Sequence, residues 1–105
     1  MAKGKDFITV VIKHPGTEPF VDIVENSLET FQDLVGGYIE SYTIATDLTI
    51  LCNEEGLLNS LPYNIKICGN HFVGTIVAVG IKGDEFASIK AANVPFVLRT
   101  MRESK

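Results

Sequence analysis

Tryptophan is absent from this chain, and cysteine, histidine and methionine occur only twice each among its 105 residues. Two cysteines, Cys52 and Cys68, cannot supply the framework of a disulfide-stapled secreted domain. The longest nearly unbroken apolar run, Phe72 to Ile81, is about half of the ~20 residues that a bilayer-spanning helix needs. No membrane association is therefore expected. A basic stripe is missing too: net charge is −4 and the pI is about 5.0, which argues against direct nucleic-acid binding. Lys3, Lys5 and Asp6 are not followed by the apolar core and small-residue cleavage site of a secretory leader. The Asn residues form no N-x-[ST] sequon. Together these absences predict a cytoplasmic protein with reduced thiols.

What is present describes one domain. Hydrophobic residues make up 46% and charged residues 21%, a globular balance rather than a disordered one. The mean hydropathy of +0.21 is high for so short a chain, whose surface is large relative to its core. Part of that apolar surface is expected to be covered in a homo-oligomer.

The charge is unevenly spread. Residues 14–65 hold nine acids (Glu18, Asp22, Glu25, Glu29, Asp33, Glu40, Asp47, Glu54 and Glu55) and no Lys or Arg. Basic residues sit in the flanking segments, at Lys3, Lys5 and Lys13 and again at Lys66, Lys82, Lys90, Arg99, Arg102 and Lys105. One reading places the basic ends beside the acidic middle in the fold. The other leaves an acidic surface for a basic partner.

Periodicity predicts an α+β fold: an antiparallel or mixed sheet of about six strands, one main helix and a second short helix. Residues 7–13 and 20–24 read as strands of a hairpin, because β-branched residues dominate both. Asn26 is placed to cap a helix, with Glu29 at its third position. Leu28, Phe31, Leu34 and Val35 form its apolar stripe, and Gly36-Gly37 stops it. Residues 38–44 and 47–53 read as a second hairpin around Ala45-Thr46. Residues 57–61 suit one helical turn before Pro62, and the stretch to residue 71 has no regular pattern. Residues 72–81 read as one strand buried on both faces. Asp84 is placed to cap a short helix, and residues 95–101 read as a final strand.

Few residues carry chemistry. Gly69 to Thr75 has the glycine spacing of a phosphate-binding loop but lacks its lysine. Cys68 and His71, with Cys52, fall short of a four-ligand zinc set, so no metal and no cofactor is expected. No nucleophile with an orienting base stands out, and no catalytic residue is assigned. Asn53, Asn64, Asn70 and His71 cluster instead in the irregular stretch, where amide groups both donate and accept hydrogen bonds. With backbone donors at Gly69, Gly74 and Thr75 they make a candidate pocket for a small ligand such as a nucleotide. Tyr38, Glu40, Tyr42, Glu54 and Glu55 make a candidate surface for a protein partner. A third reading is an enzyme whose site is assembled at a subunit interface.

Four phrases, Leu34-Val-Gly-Gly-Tyr-Ile-Glu40, Leu51-Cys-Asn-Glu-Glu-Gly56, Leu61-Pro-Tyr-Asn64 and Val73-Gly-Thr75 running on to Val79-Gly80, occur in an order that resembles domain-of-unknown-function family 3846. The resemblance spans about residues 10–88. It implies an accessory protein of phages, plasmids and other mobile elements of gut bacteria, acting in a bacterial or phage-infected cell. By analogy of setting, it implies a non-enzymatic protein that captures a host signalling nucleotide or binds and blocks a host protein. The chain carries Gly69-Asn70-His71 where the family has a Gly-Asp-type turn, and no residue role is carried over.

Overall fold

The computed structural model describes residues 6–103. Its centre is a strand that meets protein on both faces and on both edges. Main-sheet order is β2 (Phe20–Glu25), β1 (Phe7–Lys13), β7 (Ile76–Lys82), β4 (Leu48–Asn53) and β3 (Ile39–Ala45), all antiparallel. A sixth strand, β8 (Glu85–Ala87), pairs with the far end of β7, taking over along the edge that β1 leaves. A second sheet is the hairpin of β5 (Tyr63–Ile67) and β6 (Asn70–Val73). Two helices, α1 (Leu28–Val35) and α2 (Val94–Glu103), complete the α+β fold.

Alternation along β7 divides the core. Val77 and Val79 point to one face, where they meet Ile8, Val10, Ile12, Leu51 and the α1 residues Phe31 and Val35. Ile76 and Ala78 point to the other, where β5–β6 and α2 supply Ile65, Ile67, Phe72, Val97 and Met101. A strand buried on both faces needs apolar residues at every position, and β7 has them from Ile76 through Val79. At Gly80 a Cβ would run into the Ser88 carbonyl, so glycine lets the chain cross there.

Several expectations from periodicity need correction. The α1 cap is Ser27, not Asn26: the Ser27 hydroxyl accepts from Thr30 N–H at 3.1 Å. Asn26 instead donates its side-chain amide to the Phe86 carbonyl (2.9 Å). Leu28 is 60% exposed and lies off the buried stripe. The β3–β4 turn is Thr46-Asp47, because Ala45 still pairs with Leu48. Residues 54–60 form consecutive turns rather than a helical turn.

The stretch without a regular pattern is the β5–β6 hairpin. Its two-residue loop, Cys68-Gly69, has positive φ at both positions (50° and 84°), the geometry of a tight hairpin turn. The apolar run 72–81 is two strands, broken where Gly74 takes φ +74° and donates to the Pro62 carbonyl (2.7 Å). Gly83-Asp84 is a hairpin loop into β8, not a helix cap. Residues 95–101 are helical: Val94, Val97, Leu98 and Met101 face the core, and Pro95 sits in the first turn, where its missing N–H has no role.

Thr49 on β4 is buried, and its hydroxyl has no hydrogen-bond partner among the described residues. An unsatisfied buried hydroxyl costs about 1–3 kcal/mol. Replacing it with the isosteric Val is therefore expected to stabilise the fold by roughly 1 kcal/mol. Urea unfolding checks this through a higher midpoint at unchanged slope.

Candidate functional site

The segment from Asn53 to Ser60 leaves β4 and winds through turns fixed by its own backbone. Gly56 N–H donates to Asn53 O (3.2 Å), Asn59 N–H to Glu55 O (2.9 Å) and Leu61 N–H to Gly56 O (3.0 Å). Asn53 anchors it. That buried side chain donates to the Val35 carbonyl at the end of α1 (3.2 Å) and accepts from Glu55 N–H (2.7 Å). The turn segment thereby becomes a wall shared by two clefts.

The first cleft, about 450 Å³, lies between the C-terminal end of α1 and this wall, with Asp33, Tyr38, Asn53 and Glu55 in its lining. The second, about 330 Å³, lies between the wall, β3–β4 and β6, with Glu40, Tyr42, Glu54, Glu55, Leu58 and His71 in its lining. Among the described residues, no Lys or Arg lines either cleft. Leu57 and Leu58 on the wall are 82% and 83% exposed, and Tyr38 is 70% exposed. Exposed leucines in tandem beside carboxylates have no packing role in the monomer.

Electrostatics inside the second cleft follow from Glu40. Its carboxylate raises the Tyr42 phenol above the ordinary range, with some burial adding to the effect. Tyr42 and Phe72 pack in a T-shape with ring centres 5.2 Å apart, which ties β3 to the small hairpin. Burial, and then the Glu40 charge, push the Cys52 thiol up to about 11.

The candidate partner surface (Tyr38, Glu40, Tyr42, Glu54, Glu55) is thus gathered around two adjoining clefts, and His71 and Asn53 join it. The candidate ligand residues are spread out instead. Gly69 and Asn70 stand at the exposed tip of β5–β6. Gly74 lies at the opposite end of β6, its N–H already given to Pro62. Thr75 Oγ1 lies 2.8 Å from His14 Nδ1. Asn64 Nδ2 donates to the carbonyls of Lys13 (2.9 Å) and Gly74 (2.7 Å), and Asn64 Oδ1 accepts from Lys13 Nζ (2.8 Å). Asn64 is a brace between sheets, and the backbone donors at Gly69, Gly74 and Thr75 do not converge.

Some acidic residues of the middle segment do pair with basic ones. Arg102 Nε meets Glu18 at 3.1 Å, and Lys90 meets Asp47 at 3.2 Å. Lys3, Lys5 and Lys105 lie outside the described residues. Among the described residues, no three His, Cys, Asp or Glu side chains gather as a metal site.

Sequence reasoning passed over Lys13. It ends a mostly apolar strand on the side-chain parity of Val11, so period-2 alternation already turns it toward the α2 face. The structure buries it to 8% exposure. Removal from water lowers its pKa, while the nearby Glu18 charge works in the opposite direction.

The two thiols differ in reach. Cys52 is buried and held protonated, whereas Cys68 is exposed on the hairpin turn. Only a thiolate attacks an alkylating agent. Iodoacetamide at pH 8 is expected to add one group per native chain, at Cys68, and two after denaturation, as read by peptide mass. Labelling of native Cys52 at the rate of Cys68 would contradict the burial described.

Residues 8–101 match the family described as "Domain of unknown function (DUF3846)". No curated protein and no solved structure matches the chain. Matched over nearly its whole length, the chain with the two acidic clefts belongs to this domain-of-unknown-function family.

Proposed function

We propose that the protein is a non-enzymatic interaction module that holds a basic, partly apolar segment of a partner protein in its two adjoining clefts. One observation carries the reading: Asp33, Glu40, Glu54 and Glu55 surround the clefts with no Lys or Arg among the described lining residues, beside Leu57, Leu58 and Tyr38 turned to solvent. Carboxylates attract and orient a basic partner, while exposed apolar side chains supply the area whose burial holds it. In the setting that the family resemblance implies, the chain is an accessory protein of a phage or mobile element and the partner is a host protein.

Capture of a nucleotide in the 53–75 segment has less support. Asn53, Asn64 and the Gly74 N–H are engaged in internal hydrogen bonds. A polyphosphate would also meet the repulsion of the carboxylates around the neighbouring clefts.

Fluorescence anisotropy with an amphipathic Lys/Leu peptide tests the reading. Binding is expected to weaken about tenfold or more from low to high salt, because exposed charges are screened over a Debye length. A Glu54→Lys/Glu55→Lys variant should lose most of the affinity and most of the salt dependence. A Leu57→Ser/Leu58→Ser variant should lose affinity and keep the salt dependence. Affinity indifferent to salt and to both variants would sink the proposal.

A further inference from the structure

The opposite region of the α2 face holds a cleft of different character. It is about 270 Å³ and is bounded by the loop after β1, the start of β5 and the end of α2. Among the described residues, Lys13 and Arg102 line it against a single carboxylate, Glu18, in a protein whose net charge is −4.

Lys13 is the unusual group. The residue is only 8% exposed, and no carboxylate among the described residues lies within ion-pair distance of its ammonium, the Glu18 charge acting on it from farther away. The ammonium has three donors. One goes to Asn64 Oδ1 at 2.8 Å, and a second reaches the His14 carbonyl at 3.5 Å. That carbonyl already accepts from the Thr17 backbone N–H (3.2 Å) and hydroxyl (3.0 Å). The third donor meets no acceptor among the described residues. A buried cation with no counter-charge in direct contact is costly, and the cost is offset when an anion is supplied.

Arg102 supplies the second cation. Its Nε holds Glu18 at 3.1 Å, but both side chains are largely exposed, so the pair is weak and exchangeable. The guanidinium has further donors in a planar fork suited to an oxyanion. Asn64 fixes the Lys13 ammonium, so its direction is set before any ligand arrives.

We propose that Lys13 and Arg102 form a binding site for the oxyanion group of a small ligand, a phosphate or a carboxylate, in the cleft between the β1–β2 loop and α2. The site is separate from the acidic clefts and stands whether or not they bind a partner. Its volume suits the anionic group and a few attached atoms rather than a whole nucleotide. Glu18 gates it: an entering anion displaces the Glu18 carboxylate from Arg102.

Calorimetric titration of the full chain with inorganic phosphate, and separately with acetate, tests this at constant ionic strength. Saturable binding of at least one probe is expected, and the stronger of the two names the class of ligand. Lys13→Met keeps the stem and removes the charge. It is expected to weaken binding roughly tenfold or more, the loss of one charge-assisted hydrogen bond. Arg102→Gln, at an exposed position, is expected to weaken it about threefold or more. Circular dichroism establishes which variants fold, and Arg102→Gln decides alone if Lys13→Met does not. Absence of saturable binding of either probe to the natural chain overturns the proposal. So does affinity unchanged in the variants that fold.

Discussion

The double burial of β7 is the constraint on which the rest of the structure depends. A strand lined by Ile76, Val77, Ala78 and Val79 must be covered on two sides at once. One amphipathic helix covers one side, through Phe31 and Val35. Covering the other takes two elements, the β5–β6 hairpin and α2, because Ile76 and Ala78 share their face with Val11, Ile50 and Cys52. Edges are satisfied separately, by β4 along one and by β1 followed by β8 along the other. The joints between these covering pieces are where the clefts lie.

Polar side chains fix those joints. Asn53 ties the end of α1 to the turn wall, and Asn64 ties β1 to the small hairpin. Close packing at glycines adds to the constraint. A Cβ on Gly37 would meet Asn53 Nδ2 at 2.9 Å, and one on Gly56 would meet Val73 Cγ2 at 2.7 Å. The cleft walls are therefore part of the packed structure rather than loose loops. Preformed walls reduce the ordering that binding would otherwise require. On the edge strand β2, Asp22 accepts from the neighbouring Ile23 N–H (2.7 Å), and charge on an edge strand discourages pairing with another chain.

The elements legible in the sequence are those whose own residues determine them. Strands β1 to β4 and helix α1 show dense β-branching or a clear apolar stripe, and each appears within a residue or two of its expected bounds. Elements that depend on turn chemistry were harder to see. Cys68-Gly69 makes a tight turn with a cysteine at a positive-φ position, where Asn or Gly is the usual signal, so β5 and β6 were hidden. Gly74 divides an unbroken apolar run, and only Leu61 and Pro62 packed against it reveal the break. The helix at residues 94–103 carries its stripe in Val94, Val97, Leu98 and Met101, but Pro95 and the β-branched neighbours favoured a strand reading. The candidate site was legible in part. Glu54, Glu55, Tyr38 and Tyr42 were visible as an acidic, aromatic group, whereas the meeting of Tyr42, Glu54 and Glu55 with His71 around the second cleft required the hidden hairpin. The full internal engagement of Asn53 and Asn64 could not be seen, because their partners Val35 and Lys13 lie 18 and 51 residues away.

Preformed clefts on a doubly covered strand are the central claim, and native-state hydrogen exchange tests it most directly. Amides of β7 exchange only through global unfolding in this account. Those of β5–β6 and of the hydrogen-bonded 53–61 turns should follow with protection close to that of β1 and β4, because Asn64, Asn53 and the Tyr42–Phe72 contact bind them to the same core. Protection of β7 together with fast, denaturant-independent exchange throughout β5–β6 and residues 53–61 would contradict it, since the cleft walls would then open independently of the sheet.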